Sequence, residues 1–181
     1  GTAHGNIVLF AAQLDAGGEP YRRVAKVKAH PGAVVALDFS EAPEGSEPEW
    51  LRTNSADFEL RFWGLQGGGG SSSGKTVKEK RPASELRDVL WRSNTCALSW
   101  PTTGLDADAG EEVPAVDRAP DCSACAAPAA DGALQLFRYP CLRGAKPRRY
   151  SCHSPGVASV RFSSGGHNVF AMGANDLAKK R

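Results

Sequence analysis

No run of 18 apolar residues occurs anywhere in the 181-residue sequence, so no transmembrane helix is expected. The N-terminal GTAHGNIVLF has neither a basic flank nor a cleavage pattern, and no signal peptide is expected from it. An excess of one charge is missing as well. Lys and Arg number 22 against 20 Asp and Glu, and a net charge of +2 is too small to argue for a nucleic-acid partner. Cysteine is sparse and odd in number, five residues at irregular spacing. Reduced thiols in a cytosolic protein fit this better than a disulfide framework. Long amphipathic helical patterns are also few, which favours an all-β class.

What the chain does have is turn chemistry, with 20 Gly and 12 Pro set between short β-forming runs. Residues 28–63 hold the clearest series. Ala33–Phe39 is a mostly apolar run, and Glu49–Ser55 ends in the turn signal Asn54-Ser55-Ala56-Asp57. Phe58–Trp63 then alternates Phe58, Leu60 and Phe62 with Glu59 and Arg61, which predicts a strand with one buried and one solvated face. Upstream, Ile7–Leu14 reads as a strand, 15–20 as a turn, and Tyr21–Lys28 as an edge strand with a basic face.

Downstream, QGGGGSSSGK is a flexible insertion and Thr76–Arg81 a short edge strand. Ser84–Arg92 has some helical spacing but is short. Thr95–Trp100 is strand-like, and 101–121 reads as a long loop. Cys122–Ala127, Ala133–Tyr139, Val157–Phe162 and Val169–Ala174 read as further strands, with VASVRF at 157–162 matching VVALDF at 34–39. The recurring order of strands marks internal repetition of the propeller-blade kind. His30 and His153 stand too far apart for two regular repeats of about 40–45 residues, and the Gly-Ser insertion and the 101–121 loop supply the excess. The first repeat opens part-way through and the last stops early, so a fragment is expected, with the remaining blades supplied by a missing segment or a partner.

Three motifs match formally and carry little. GGSSSGKT at 69–76 fits the phosphate-loop pattern, but Pro82 follows too soon for the helix whose N-terminus such a loop must cap. Cys122 and Cys125 have metal-ligand spacing, with Cys141, Cys152 and His153 to complete a zinc set, yet no second Cys-x-x-Cys exists. Buried small residues in strands account for these cysteines, so no metal and no cofactor is expected. Arg22, Arg23, Lys26 and Lys28, and the group Arg143, Lys146, Arg148 and Arg149, form basic clusters that could face an acidic partner. Solvated edge strands and loops are the simpler explanation of them, and no interleaved aromatics support nucleic-acid stacking.

His30 ahead of the first strand, Asp57 in the second turn and Trp63 at the end of the third strand resemble a WD-repeat blade. That resemblance implies a buried network of His30, Ser55 (or Thr53), Asp57 and Trp63 holding strands together without performing chemistry. A catalytic His30–Asp57–Ser55 set lacks a nucleophile-elbow context. KAHPGAVVALDFS, LRTNSADFELRFW, RDVLW, TCALSWP, LQLFRYPC and CHSPGVASVRFS, in that order, resemble the echinoderm microtubule-associated protein-like family across nearly the whole chain. Gly64 and Leu90 depart from it, standing where the family prefers acidic residues.

The resemblance implies an all-β, partial WD-repeat propeller of about three four-stranded blades. Its divisions would be 1–28 (end of a blade), 29–81 (complete blade), 82–152 (degenerate blade) and 153–181 (truncated blade). It implies a non-enzymatic scaffold for tubulin, microtubules or another cytoskeletal protein, cytoplasmic and on microtubules or the axoneme, with neither nucleic acid nor membrane as partner. A generic interaction adaptor is the alternative. The loops expected on one rim place Pro31, Gly32, Ala56, Phe58, Ser154 and Pro155 as contact candidates, beside the basic Arg22, Arg23, Lys26, Lys28, Arg148 and Arg149.

Overall fold

A computed structural model describes residues 1–12, 21–66, 76–80, 83–105, 113, 115–151, 153–154 and 156–173. Among these the chain is all-β, with no α-helix, and every strand pairing is antiparallel. The sheets are those of a partial WD-repeat propeller. They fall into two compact units, Gly1–Arg92 and Ser93–Arg181.

In the first unit, β1 (Asn6–Ala12) pairs with β2 (Tyr21–Lys28). A four-stranded sheet follows, in the order β3 (Val34–Phe39), β4 (Trp50–Ser55), β5 (Leu60–Gln66), β6 (Thr76–Glu79). On one face of it Leu51 and Trp63 are buried together with Ile7 and Ala29, bordered by Val27, Leu37, Phe39, Leu65 and Val77. Burying an indole the size of Trp63 contributes on the order of 4 kcal/mol.

The alternation in 58–63 predicts a buried face of Phe58, Leu60 and Phe62 and a solvated face of Glu59 and Arg61, and the structure corrects this, because the second face also holds the buried Trp63 while Phe58 is exposed. Phe62 is buried beneath Trp91, ring centroids 5.9 Å apart, and Arg52 is buried beside it. A central blade strand is covered on both sides, so alternation here separates two interiors, one apolar and one mixed. Trp91 reaches this face because Ser40 bridges to it and the Arg92 N–H bonds the Phe39 carbonyl. The helical spacing of Ser84–Arg92 yields only a 3-10 turn, Ala83–Leu86, ending in the buried Leu86.

The same face explains Gly64. It pairs across from Trp50, and a Cβ there would lie 3.3 Å from the indole, a tight contact that any side chain would make only if the ring shifted slightly.

In the second unit the order is β7 (Asp117–Arg118), β8 (Ala124–Pro128), β9 (Ala133–Arg138), β10 (Arg148–Ser151), with β11 (Val157–Phe162) and β12 (Val169–Gly173) paired separately. Two expectations fail here. Thr95–Trp100 forms no strand. The Thr102 hydroxyl bonds the Ala97 carbonyl at 2.7 Å and meets the Ser99 hydroxyl at 2.6 Å, so local side-chain bonds replace a ladder around the 3-10 turn Trp100–Thr102. The stretch 101–121 is not all loop, because it supplies that turn and the edge strand β7. Two residues suffice for β7 since Val116 beside it is fully buried and the Asp117 carboxylate accepts the Phe162 N–H at 2.7 Å, tying β7 to β11.

Candidate functional site

The polar cluster of the first blade starts at His30, which directly precedes the 31–33 connection into β3. Its Nε2 lies 2.7 Å from the Thr53 hydroxyl, which also accepts the Trp63 indole N–H at 2.9 Å. Its Nδ1 lies 3.2 Å from the Glu59 carboxylate, which the Arg61 guanidinium also contacts at 2.8 Å. One proton arrangement satisfies every group. Trp63 donates to Thr53, Thr53 donates to Nε2, and Nδ1–H donates to Glu59. The Arg61 hydrogen bond first, and His30 second, hold the Glu59 carboxyl below the usual range. Arg61 also donates to the Ala29 carbonyl at 2.8 Å, which fastens β5 to the residue before His30.

Of the residues expected in this network, His30 and Trp63 are brought together, and Thr53 takes the place offered to Ser55. Asp57 lies elsewhere. Its carboxylate accepts the Gly32 N–H at 2.6 Å, while the Ala56 N–H bonds the Ala33 carbonyl at 2.8 Å. The second-to-third-strand turn is thereby laced to the loop entering β3, and the two share a rim. Ser55 points its hydroxyl into the interior, where it has no partner among the described residues. The reason is strand periodicity. Thr53 and Ser55 share a face, but only Thr53 stands opposite Leu37 and level with Trp63's indole N–H. A His30–Ser55–Asp57 relay is not assembled.

Replacing Ser55 by Ala removes a buried hydroxyl that makes no bond. We expect a gain of about 1 kcal/mol, read as a higher denaturation midpoint. A loss of stability would show that the hydroxyl is bonded after all.

The other repeats fill the corresponding positions differently. Register places Ala127 and Phe137 where Thr53 and Trp63 stand, and both lie in a purely apolar cluster with Val116, Cys125 and Cys141. In the last sheet β11 and β3 carry the same bulge, and Ala171 takes the Thr53 position. There His153 Nε2 turns to the Ala171 carbonyl at 3.2 Å. The chain thus fills one structural position with a hydrogen-bonded set or with an apolar one.

One buried pair was not singled out from the sequence. Asp38 and Arg52 face each other across β3 and β4, with Arg52 Nε and its terminal nitrogen 3.0 and 2.9 Å from one carboxylate oxygen. Both side chains are almost fully buried, and the guanidinium lies 4.6 Å from the Trp91 ring centroid. The available signal was a lone Asp within the apolar VVALDF facing a lone Arg within WLRTNS.

The zinc reading finds no support in the geometry. Cys122 is exposed while Cys125 and Cys141 lie together in the core. Burial, with the Cys141 thiol beside it, pushes Cys125 up to about 12, and burial raises Cys141 also. Both are thereby shifted toward the protonated thiol. Cys152 lies outside the described residues. The phosphate-loop reading fails at its far end, because Thr76 opens the strand β6 and no helix N-terminus follows. Gly69–Lys75 lie outside the described residues.

The rim and edge candidates are accessible. Arg22, Arg23, Lys26 and Lys28 are exposed along β2, which pairs only with β1 among the described residues. The Lys28 ammonium bonds the carbonyls of His4 and Pro31, so one of these cations also braces the rim. Arg148 is exposed on β10, and Arg149 is engaged by Asp131 at 2.6 Å. Pro31, Ala56 and Phe58 are exposed, as is Ser154; Pro155 lies outside the described residues.

Compared with known proteins, the chain is 25% identical over 179 residues to echinoderm microtubule-associated protein-like 4 of Xenopus laevis, covering 97% of this chain and 18% of that one. The likeness is to echinoderm microtubule-associated protein-like proteins. The same protein from Mus musculus is 26% identical with 97% and 17% covered, and echinoderm microtubule-associated protein-like 2 of Rattus norvegicus is 27% identical with 97% and 25% covered. The chain therefore spans a quarter or less of the length of these echinoderm microtubule-associated protein-like relatives. No family model matches. Among solved structures, Chaetomium thermophilum Sqt1 bound to the N-terminus of ribosomal protein L10 aligns at 14% identity and a TM-score of 0.35, over 83% of this chain and 33% of that one.

Proposed function

We propose that this chain is part of a non-enzymatic WD-repeat interaction scaffold that docks on microtubules or a closely associated cytoskeletal protein in the cytoplasm. The observation that carries the reading is the likeness to microtubule-associated relatives along 97% of the chain. Two features of the blade agree with it. Its polar cluster is satisfied internally and offers no unengaged nucleophile–base pair, while its rim and the basic strand β2 are open to a partner. The division into blades at 1–28, 29–81, 82–152 and 153–181 belongs to the same proposal. A fold of this kind names no partner by itself, so the partner assignment rests on the relatives.

The test is co-sedimentation of the protein with stabilised microtubules at rising salt. Wild type is expected to pellet, and the Arg22→Glu/Arg23→Glu variant to pellet several-fold less, with the difference shrinking as salt screens the charges. Absence of pelleting at low salt would overturn microtubule docking and leave an adaptor for a different protein. Equal pelleting of the two chains would remove β2 from the contact surface.

A further inference from the structure

Three turns in this chain share one geometry. In Thr2–Asn6, Ser55–Glu59 and Ala129–Ala133 the first N–H bonds the fifth carbonyl, at 3.0, 3.2 and 2.8 Å. In each, the fourth N–H returns to the first carbonyl, at 3.1, 3.1 and 3.0 Å. The fourth residue is left-handed every time, with φ of 73°, 59° and 85°. Two of those residues are Gly5 and Gly132, the type that adopts this conformation without strain. The remaining one is Phe58.

The glycines have a second reason to be there. The carbonyls of His30 and His153 cross over them so closely that a Cβ would stand 2.0 and 2.4 Å away. Phe58, by contrast, is 67% exposed. A bulky residue with positive φ is a genuine outlier, and its ring recovers none of the strain by entering a core. Its neighbours are already occupied, since Asp57 holds the Gly32 N–H and Glu59 holds His30 and Arg61. The feature that this turn adds to the shared design is therefore an unburied phenyl ring on the rim.

We infer that Phe58 is an aromatic anchor, kept in a strained conformation at a cost to stability, that inserts into an apolar pocket on the microtubule wall. The inference rests on the scaffold reading above and names the side chain through which that contact is made. The partner surface must be concave and apolar, because the phenyl ring stands on a convex turn whose flanking carboxylates are engaged within the protein. Exposed aromatic side chains that become fully desolvated in a partner pocket dominate interface energetics.

The experiment pairs thermal melting with microtubule co-sedimentation for the 181-residue chain and its Phe58→Gly, Phe58→Ala and Phe58→Tyr variants. Phe58→Gly is expected to keep its Tm or raise it by up to about 2–4 °C, as removal of strain competes with the added freedom of glycine in the unfolded chain. In co-sedimentation its apparent affinity is expected to fall at least about tenfold, with Phe58→Ala falling alike and Phe58→Tyr retained. Pelleting unaffected by Phe58→Gly overturns the anchor alone and leaves the scaffold reading in place. A clear drop in the Tm of Phe58→Gly overturns it too, by showing that the ring serves the fold. No pelleting by any of the chains, wild type included, withdraws the microtubule pocket together with the scaffold reading.

Discussion

Asp38→Ala is expected to lower stability by about 3–5 kcal/mol, the loss that follows when one member of a buried ion pair is removed. The Arg52 guanidinium then keeps its buried position beside the Trp91 ring but without that carboxylate. A second variant isolates the cause. Asp38→Leu with Arg52→Met removes both charges while keeping apolar bulk, and should recover most of the loss, because the desolvation cost disappears along with the attraction. Chemical denaturation of the three chains measures this. A single mutant as stable as wild type, or a double mutant less stable than the single, would show that the pair is not what holds β3 against β4.

Thr53→Val carries the second large effect. The two side chains have nearly the same shape, so packing of Leu51 and Trp63 is preserved while one hydroxyl is lost. That hydroxyl serves two partners at once, the His30 Nε2 at 2.7 Å and the Trp63 indole N–H at 2.9 Å. Both become buried polar groups without partners, at about 1–3 kcal/mol each, so a loss of about 2–4 kcal/mol is expected. The second unit shows how the chain removes the need for the bond, with Ala127 and Phe137 in the corresponding places. Trp63→Phe introduced together with Thr53→Val should therefore cost less than the sum of the two single changes, since no indole N–H remains to be satisfied. Strict additivity in denaturant midpoints would argue against a shared network.

Much of this architecture was legible in the residues. Strand runs such as Tyr21–Lys28 and Val157–Phe162 coincide with β2 and β11, because alternation and turn residues are local properties that burial only reinforces. The likeness of VVALDF to VASVRF survives as a shared bulge and a shared register. The part of the candidate site that could be read was its cast of types, namely a His, a hydroxyl, a turn Asp and a Trp.

Three particulars were decided only by the folded chain. Thr53 and Ser55 are equivalent by composition and by strand parity, and cross-strand register alone brings Thr53 under both His30 and Trp63. Asp57 is turned away because the Gly32 N–H on the entering loop offers a nearer partner than the imidazole. Thr95–Trp100 has strand-like residues, yet the hydroxyls of Ser99 and Thr102 hold it in a turn and not in a ladder.

The sequence by itself determined the all-β class, the repeat and the residue types at the centre of the blade, since these follow from periodicity and turn chemistry within a few positions. Tertiary structure decided which hydroxyl is bonded, that Asp38 and Arg52 meet in the interior, and that Phe58 takes a glycine's conformation in the open. Each of those depends on what lies across a strand or beyond a turn, and that distance is set by packing and not by spacing along the chain.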